Sequence, residues 1–590
     1  MATLHVRGTE LESVKVQTPL NRRFLAALGF TFLVSMHFFM PNPGGSGLAL
    51  SFNATTWITA SIAIAIGLYQ LSRNQKLKYS KLTVALFLCC LVLTAPITFP
   101  ETIIEQSLGR LTGLWAGFFL FVTLQQFPFS NKQKQRLLWF IVLATGIEAI
   151  ICWVQYLYLT PGNMFGYNTI QNRPYGIFQQ PNVLASFLAT GLVLSAYLLA
   201  RLPNKYRRKP WHISFLIAIP LLIAPMLVIV SSRTGWLGAV IGIVLILPYL
   251  WRFSTKRRFA TWTAALVLAT GIGIVTPELL GESQNLELLE SKTSLTSARQ
   301  FHFPQTIDMI IEKPFTGYGY GHFESAYMLY TARQHQLNEH YPAGLAALDH
   351  PHNELMLWGV EAGLVPVLVI LLTAAFITYK ITTAREGTRL GMLALFAPLV
   401  VHSQLEYPFY HSAIHWISFI VLLFWLDQRT AKYKFAPFSK FSKVLTASSS
   451  LVLPIITSFY MLSALHTNYV LTQFEKSQPR QPELLDKVTN PVVWKDRFDR
   501  DVYSTYLTIG LYTQDAKLIQ PYIDWSLSII PRKPRPAFYT NLILAYQGMG
   551  EEEKARQIQT EAEFLFPNKD FSQVKYQPPS KATSTASAAN

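Results

Sequence analysis

Thirteen apolar windows, each about 17 to 25 residues long, recur along this chain of 590 residues, beginning near residues 24, 52, 81, 111, 137, 182, 213, 234, 259, 358, 388, 412 and 448. Segments of that length and polarity satisfy their backbone without water only as helices. The pattern therefore predicts an all-α polytopic membrane protein with about 13 transmembrane helices. Composition agrees, with 51% hydrophobic and only 14% charged residues. The formal charge of +17 lies in short Lys/Arg clusters between the windows rather than along one polar face, which excludes a nucleic-acid partner and reads as topology. Cys89, Cys90 and Cys152 all fall inside apolar windows, so neither a disulfide framework nor a cysteine metal site is expected. The first window, Phe24 to Met40, lacks a cleavage pattern and reads as a retained span.

With the N-terminus placed inside, the inner segments carry clusters such as Arg22-Arg23, Lys205 to Lys209 and Arg252 to Arg258, whereas the short outer loops carry only Arg110, Arg173 and Arg233. That asymmetry fixes the orientation by the positive-inside rule. The boundaries that follow are a cytoplasmic tail at 1–23, a transmembrane region at 24–276 and a large outer loop at 277–352. A second transmembrane region at 353–466, an outer helical domain at 467–577 and a disordered, Ser/Ala/Thr-rich end at 578–590 complete the chain. In a bacterium the outer side is the periplasm and the membrane the inner one. Within the helical domain Tyr539, Leu542, Tyr546, Gly550, Ala555, Ala562 and Pro567 resemble one tetratricopeptide unit, with flanking helices expected over 484–530.

Candidate chemistry gathers at the outer surface. The segment Asp349-His-Pro-His-Asn-Glu354 sets two histidines on a proline-stiffened corner, after which a helix starts with Asn353 as its N-cap and Glu354 in its first turn. A neutral histidine there can take a proton from an attacking hydroxyl. The same pair could cap a helix, or bind a metal with Asp349 or Glu354 as a third ligand. In the corner from His402 to His411, Glu406 either orients a catalytic histidine, receives a proton or pairs with Arg173 or Arg233. Arg173 and Arg233, in loops rich in Gly, Pro and amides, suit phosphate binding. Arg110, beside Glu101 and Glu105, reads instead as snorkelling to lipid phosphates. Gly317, Gly319 and Gly321 alternate with Tyr318 and Tyr320, which predicts a tight turn offering aromatic contacts to sugar or lipid.

The ordered set of motifs resembles the O-antigen ligase superfamily: His352-Asn353 followed by nine residues and Gly363, Ser231-Ser-Arg-Thr-Gly235, and Arg299 with Pro314 to Phe323. Pro366 departs from the pattern, which continues there with Gly, Thr or Tyr. Asn42-Pro-Gly-Gly-Ser-Gly-Leu48 with Phe52-Asn53, the Arg173 to Asn182 block and the polar tail are similar to the branch of protein O-oligosaccharyltransferases that glycosylate pilins.

The resemblance implies transfer of a preassembled glycan from undecaprenyl pyrophosphate to a Ser or Thr hydroxyl of an exported acceptor such as a pilin. It implies His352 as general base, with His350 or Glu406 orienting it, and Arg233, Arg173 and Arg299 on the departing pyrophosphate. Gln179, Asn182, Asn353, Tyr407, Tyr318 and Tyr320 are the substrate-contact candidates. No cofactor is expected and the transfer is predicted to be metal-independent. Ligation to lipid A core and polymerisation of the glycan are the nearest alternatives. A lipid-linked glycan flippase is the alternative from another class, disfavoured because no inverted repeat is visible and the polar groups gather at the outer surface rather than the midplane.

Overall fold

The computed structural model describes residues 19–203, 210–292 and 297–578. The tail before residue 19, the basic stretch at 204–209 and the end after 578 lie outside the described residues. The protein is an all-α, multi-pass membrane protein. Its first part runs α1 (Asn21–Leu33), α2 (Ser51–Asn74), α3 (Lys81–Thr94), α4 (Ile104–Gln125), α5 (Asn131–Tyr158), α6 (Pro181–Arg201), α7 (Pro210–Ile229), α8 (Arg233–Phe253) and α9 (Lys256–Leu279). A large loop follows with α10 (Ser283–Ser291), α11 (Arg299–Glu312), α12 (Phe323–Leu337) and α13 (Glu354–Ala362). Then come α14 (Leu364–Thr382), α15 (Arg389–Ser403), the short α16 (Pro408–His411), α17 (Ala413–Thr430) and α18 (Lys440–Lys476), and finally α19 (Lys495–Thr513), α20 (Ala516–Ile529), α21 (Pro536–Gly548) and α22 (Glu552–Leu565).

Among the described residues, 10 helices are long and apolar enough to cross a membrane: α2 to α9, α14 and α18. The other three expected windows are α1, with 13 residues, α15, with 15, and α17, whose last turns carry Asp427, Gln428 and Arg429. The window expected to begin near 358 is divided. Its first part belongs to α13, and the spanning helix starts only at Leu364 because Gly363 adopts φ +80°. A Cβ at Gly363 would lie 2.5 Å from the Phe315 carbonyl oxygen, so the turn is closed to other residues. Pro366 falls in the first turn of α14, where a missing N–H costs nothing. The last span starts earlier than expected and, with 37 residues, is about 55 Å long. That exceeds a bilayer core of about 30 Å, and its C-terminal turns are buried in the polar part of the molecule.

Packing of the spans follows residue size. Helix α6 is wholly buried over its apolar window, and its Ala185, Ala189, Gly191, Ser195 and Ala196 let α5 and α8 approach. Val267, Leu268, Leu368, Leu372, Ile455 and Phe459 on α9, α14 and α18 remain exposed, as a lipid-facing surface requires. At the end of the bundle where α2 and α17 finish, β1 (Lys76–Tyr79) pairs antiparallel with β2 (Lys434–Pro437). At the opposite end the large loop and the C-terminal helices share one core, in which Met309, Phe323 and Tyr327 pack with Ile519, Tyr522, Tyr539 and Leu542. Helices α19 to α22 pack successively, and Tyr539, Leu542, Tyr546, Ala555 and Ala562 are buried.

Two expectations fail here. Arg110 does not reach toward lipid: its guanidinium lies between the rings of Tyr320 (4.4 Å) and Trp358 (4.5 Å) and pairs with Glu361 at 2.6 Å. The glycine turn is as tight as expected, with Tyr318 and Gly319 donating backbone N–H to Val360 and Glu361 carbonyls. Its tyrosines, however, are not available as substrate contacts near the histidines. Tyr320 is 0% exposed and donates its hydroxyl to the Leu93 carbonyl, while Lys313 covers the Tyr318 ring at 4.5 Å. The turn docks on the far end of α13, and nine residues of helix set it about 13 Å from His352.

Candidate active site

The corner before α13 is built around a strained residue. His352 takes φ +55°, a left-handed conformation that non-glycine residues occupy at a cost of about 1 to 3 kcal/mol. Three contacts hold it there. The His352 backbone N–H donates to His350 Nδ1 at 2.9 Å, Asn353 Oδ1 caps α13 by accepting from Met356 N at 3.0 Å, and Asn353 Nδ2 donates to the Gln404 carbonyl at 2.9 Å. His350 thus fixes the backbone of His352, whereas the ring faces Glu406, with Nε2 3.5 Å from Oε2. The His352 ring remains 28% exposed, enough for a hydroxyl to reach it. Tyr407 lies against both histidines, its centroid 4.6 Å from His350 in a tilted pair and 5.3 Å from His352 edge to face.

Burial, then the charge of Arg299, lowers the His352 pKa from its usual value, so the ring is neutral and basic near pH 7. His350 is pushed further down, by burial and then by His352 and Arg110. Burial raises the Glu406 carboxyl, and the neighbouring Arg299 works against that rise.

Glu406 is where four elements meet. It forms an ion pair with Arg299 at the start of α11 rather than with Arg173 or Arg233. It also accepts from Asn182 Nδ2 at 3.1 Å, and Asn182 Oδ1 in turn accepts from Ser232 Oγ at 2.7 Å. Ser232 is the N-cap of α8, whose first residue is Arg233. Arg173 clasps the end of α7, donating through Nε to the Val230 carbonyl at 2.7 Å and through Nη2 to that of Ser231 at 3.2 Å. Its burial lowers the guanidinium pKa to about 10, still fully charged at neutral pH. Lys292 lies within electrostatic reach of all three arginines: burial first, then Arg173, Arg233 and Arg299, lowers its pKa. The structure thus brings together the three arginines singled out in the sequence and adds a fourth cation.

Other parts of this site lie outside any motif. His302, on α11, is 2% exposed, sits with its ring centroid 5.7 Å from His352 and is held down to about 4, first by burial. The Arg173 to Asn182 loop is moored from α5, where Glu148 Oε2 accepts from Ile177 N at 3.0 Å and Gln155 Oε1 from Gly176 N at 2.8 Å. Gln179 forms a left-handed turn at φ +53° just before α6, with its side chain near the first-loop Gly44. That first loop is clamped from below: buried Asn53 donates to the Gly47 and His411 carbonyls at 2.6 and 2.8 Å and accepts from Ala413 N at 2.8 Å. Glu354, weighed as a metal ligand, turns away and accepts from Trp358 Nε1 at 2.8 Å and the Tyr410 hydroxyl at 2.7 Å. Acidity and size alone gave no signal for Lys292, His302 or Glu148.

A neutral imidazole backed by a carboxylate, beside clustered cations, is an arrangement suited to moving a group off an anionic leaving group. Residues 221–372, which hold Arg233, Arg299, His350 and His352, match the family described as O-antigen ligase. The chain thus has a segment similar to O-antigen ligases. Residues 174–199 match protein glycosylation ligase, within the Arg173 to Asn182 block and α6 rather than the first loop, and residues 390–581 match the C-terminal part of virulence factor membrane-bound polymerase. Two relatives come from Acinetobacter baylyi. A general O-oligosaccharyltransferase is 24% identical over 327 residues, 52% of this chain and 53% of that protein. A ComP-specific O-oligosaccharyltransferase is 22% identical over 285 residues, 47% of this chain and 48% of the relative. The matches thus cover about half the length of each relative.

Proposed function

We propose that this protein is a protein O-oligosaccharyltransferase, moving a glycan en bloc from undecaprenyl pyrophosphate to a Ser or Thr hydroxyl of an exported acceptor such as a pilin. The observation that carries the reading is the neutral His352, backed by Glu406, beside Arg173, Arg233, Arg299 and Lys292. The His352 ring takes the hydroxyl proton as the oxygen attacks the anomeric carbon. The bond from that carbon to the pyrophosphate oxygen breaks, and the pyrophosphate leaves with the electron pair. Single displacement inverts the anomeric centre. Arg233 and Lys292 meet the developing charge, Arg299 shares itself between that charge and Glu406, and Arg173 adds a field while clasping the loop. Glu406 stabilises the imidazolium that forms. In this reading the membrane is the bacterial inner membrane, with the N-terminus cytoplasmic and the site periplasmic. Cations take the place of a metal, so a chelator leaves the rate unchanged.

Co-expression of wild type and His352→Ala with a lipid-linked glycan pathway and a pilin tests this by pilin mass. Added glycan mass with wild type only, at equal membrane levels, is the expected result. Equal addition by both removes His352 as base. Because one matched family is a membrane-bound polymerase, lengthened lipid-linked glycan with an unmodified pilin would transfer the assignment to polymerisation.

A further inference from the structure

A cleft of about 350 Å³ lies between the His350 corner, the outer end of α4 and the turn from α20 to α21. That volume falls within the usual range for ligand sites, about 300 to 1,000 Å³. One wall comes from the C-terminal unit, through Arg532, Lys533 and Arg535, and the opposite wall includes Asp349 and His350. The proposed mechanism makes no use of it.

The His-Pro-His corner separates this cleft from the cation cluster. His350 and Asp349 line the cleft, whereas the His352 ring faces Glu406 and, through it, Arg299, with Asp349 also in its field. A single displacement requires the hydroxyl to arrive opposite the pyrophosphate. With the pyrophosphate at the cations, the acceptor enters from the cleft side.

Charge narrows the occupant. Arg110 pairs with Glu361, Arg535 grips Glu324 through two bonds of 2.7 and 2.9 Å, and Lys533 pairs with Asp496 at 2.5 Å. Asp349 lies within the field of Arg535. Arg532 has no carboxylate within 4.0 Å among the described residues, with Asp499 only in its wider field, and the lining sets Arg110, Arg532, Lys533 and Arg535 against the carboxylates of Glu324, Asp349 and Glu361. We infer that the cleft is the acceptor-docking site and that it takes an acidic polypeptide segment flanking the modified Ser or Thr, with Arg532 on its carboxylate. The inference rests on the protein-ligase reading above.

The test uses full-length enzyme in proteoliposomes with lipid-linked glycan and, as probe, the soluble domain of the pilin that the wild type modifies. Arg532→Glu is expected to raise the acceptor KM about tenfold or more while kcat changes little. The donor KM is expected to match that of wild type, which shows that the donor side is intact. A pilin whose flanking Asp and Glu residues are changed to Lys should restore a low KM with Arg532→Glu and lose it with wild type. Lys569→Glu, a charge-matched change on the exposed surface, controls for net charge. An unchanged acceptor KM overturns the inference, as does a rise in donor KM, which would place the glycan in the cleft. Failure of wild type to modify any pilin while it extends or ligates glycan elsewhere removes the underlying reading instead, a result visible before any variant is made.

Discussion

The pKa of His352 is set by opposing neighbours, and its sign can be tested. In the proposed mechanism the ring acts only when neutral, so the rate is expected to fall as pH drops through its pKa. Burial and Arg299 hold that pKa below the usual 6.5, keeping the base active into mildly acidic solution. Arg299→Gln removes a cation and releases Glu406 from its partner, so the ring gains a carboxylate at 3.5 Å without the compensating charge. The acid limb of kcat/KM should therefore shift to higher pH in this variant, whatever happens to the absolute rate. An unmoved limb would mean that another group titrates. Legibility at this scale divides by how local the signal is. His352, Glu406, Asn182 and the arginines stand in short motifs whose types name their chemistry. Tyr320 stood in the same kind of motif and misled, since alternation with glycine says nothing about which way a ring turns. Lys292 and His302 became visible only when α11 and the loop before it were folded against the corner.

Among the elements, α13 matters most for its two ends. Its N-terminus presents His352 and its C-terminus terminates at Gly363, so a shift of either end moves His352. Gly363→Ala must place a side chain 2.5 Å from a backbone oxygen at φ +80°. A loss of about 1 to 3 kcal/mol is expected, read as a lower melting temperature in detergent. Gly109→Ala, with nothing within 4 Å and a helical backbone, should be neutral or slightly stabilising in the same assay. Asn53→Ala is expected to cost about 1 to 3 kcal/mol by leaving the His411 carbonyl and the Ala413 N–H unpaired, and to loosen the first loop toward protease. Helix existence was legible from hydrophobic periodicity. The division of one expected span into α13 and α14 was not, because the apolar run passes through Gly363 without a break in polarity.

Over the whole molecule, the C-terminal unit and the large loop share a core, and Arg535 with Glu324 is the polar tie between them. A double-mutant cycle of Arg535→Gln and Glu324→Gln should show a coupling of about 1 to 3 kcal/mol by thermal unfolding. A coupling near zero would mean that apolar contact alone joins the two. Sequence patterning separates these segments because the region at 353–466 lies between them, and only the folded chain closes that distance. The short ribbon of β1 and β2 has a consequence of a mechanical kind. It binds the foot of α2 and α3 to that of α17 and α18, at the face away from His352. A bundle stapled at one end spreads more readily at the other, like tongs with a fixed pivot, so room for a bulky ligand is made at the end that holds His352.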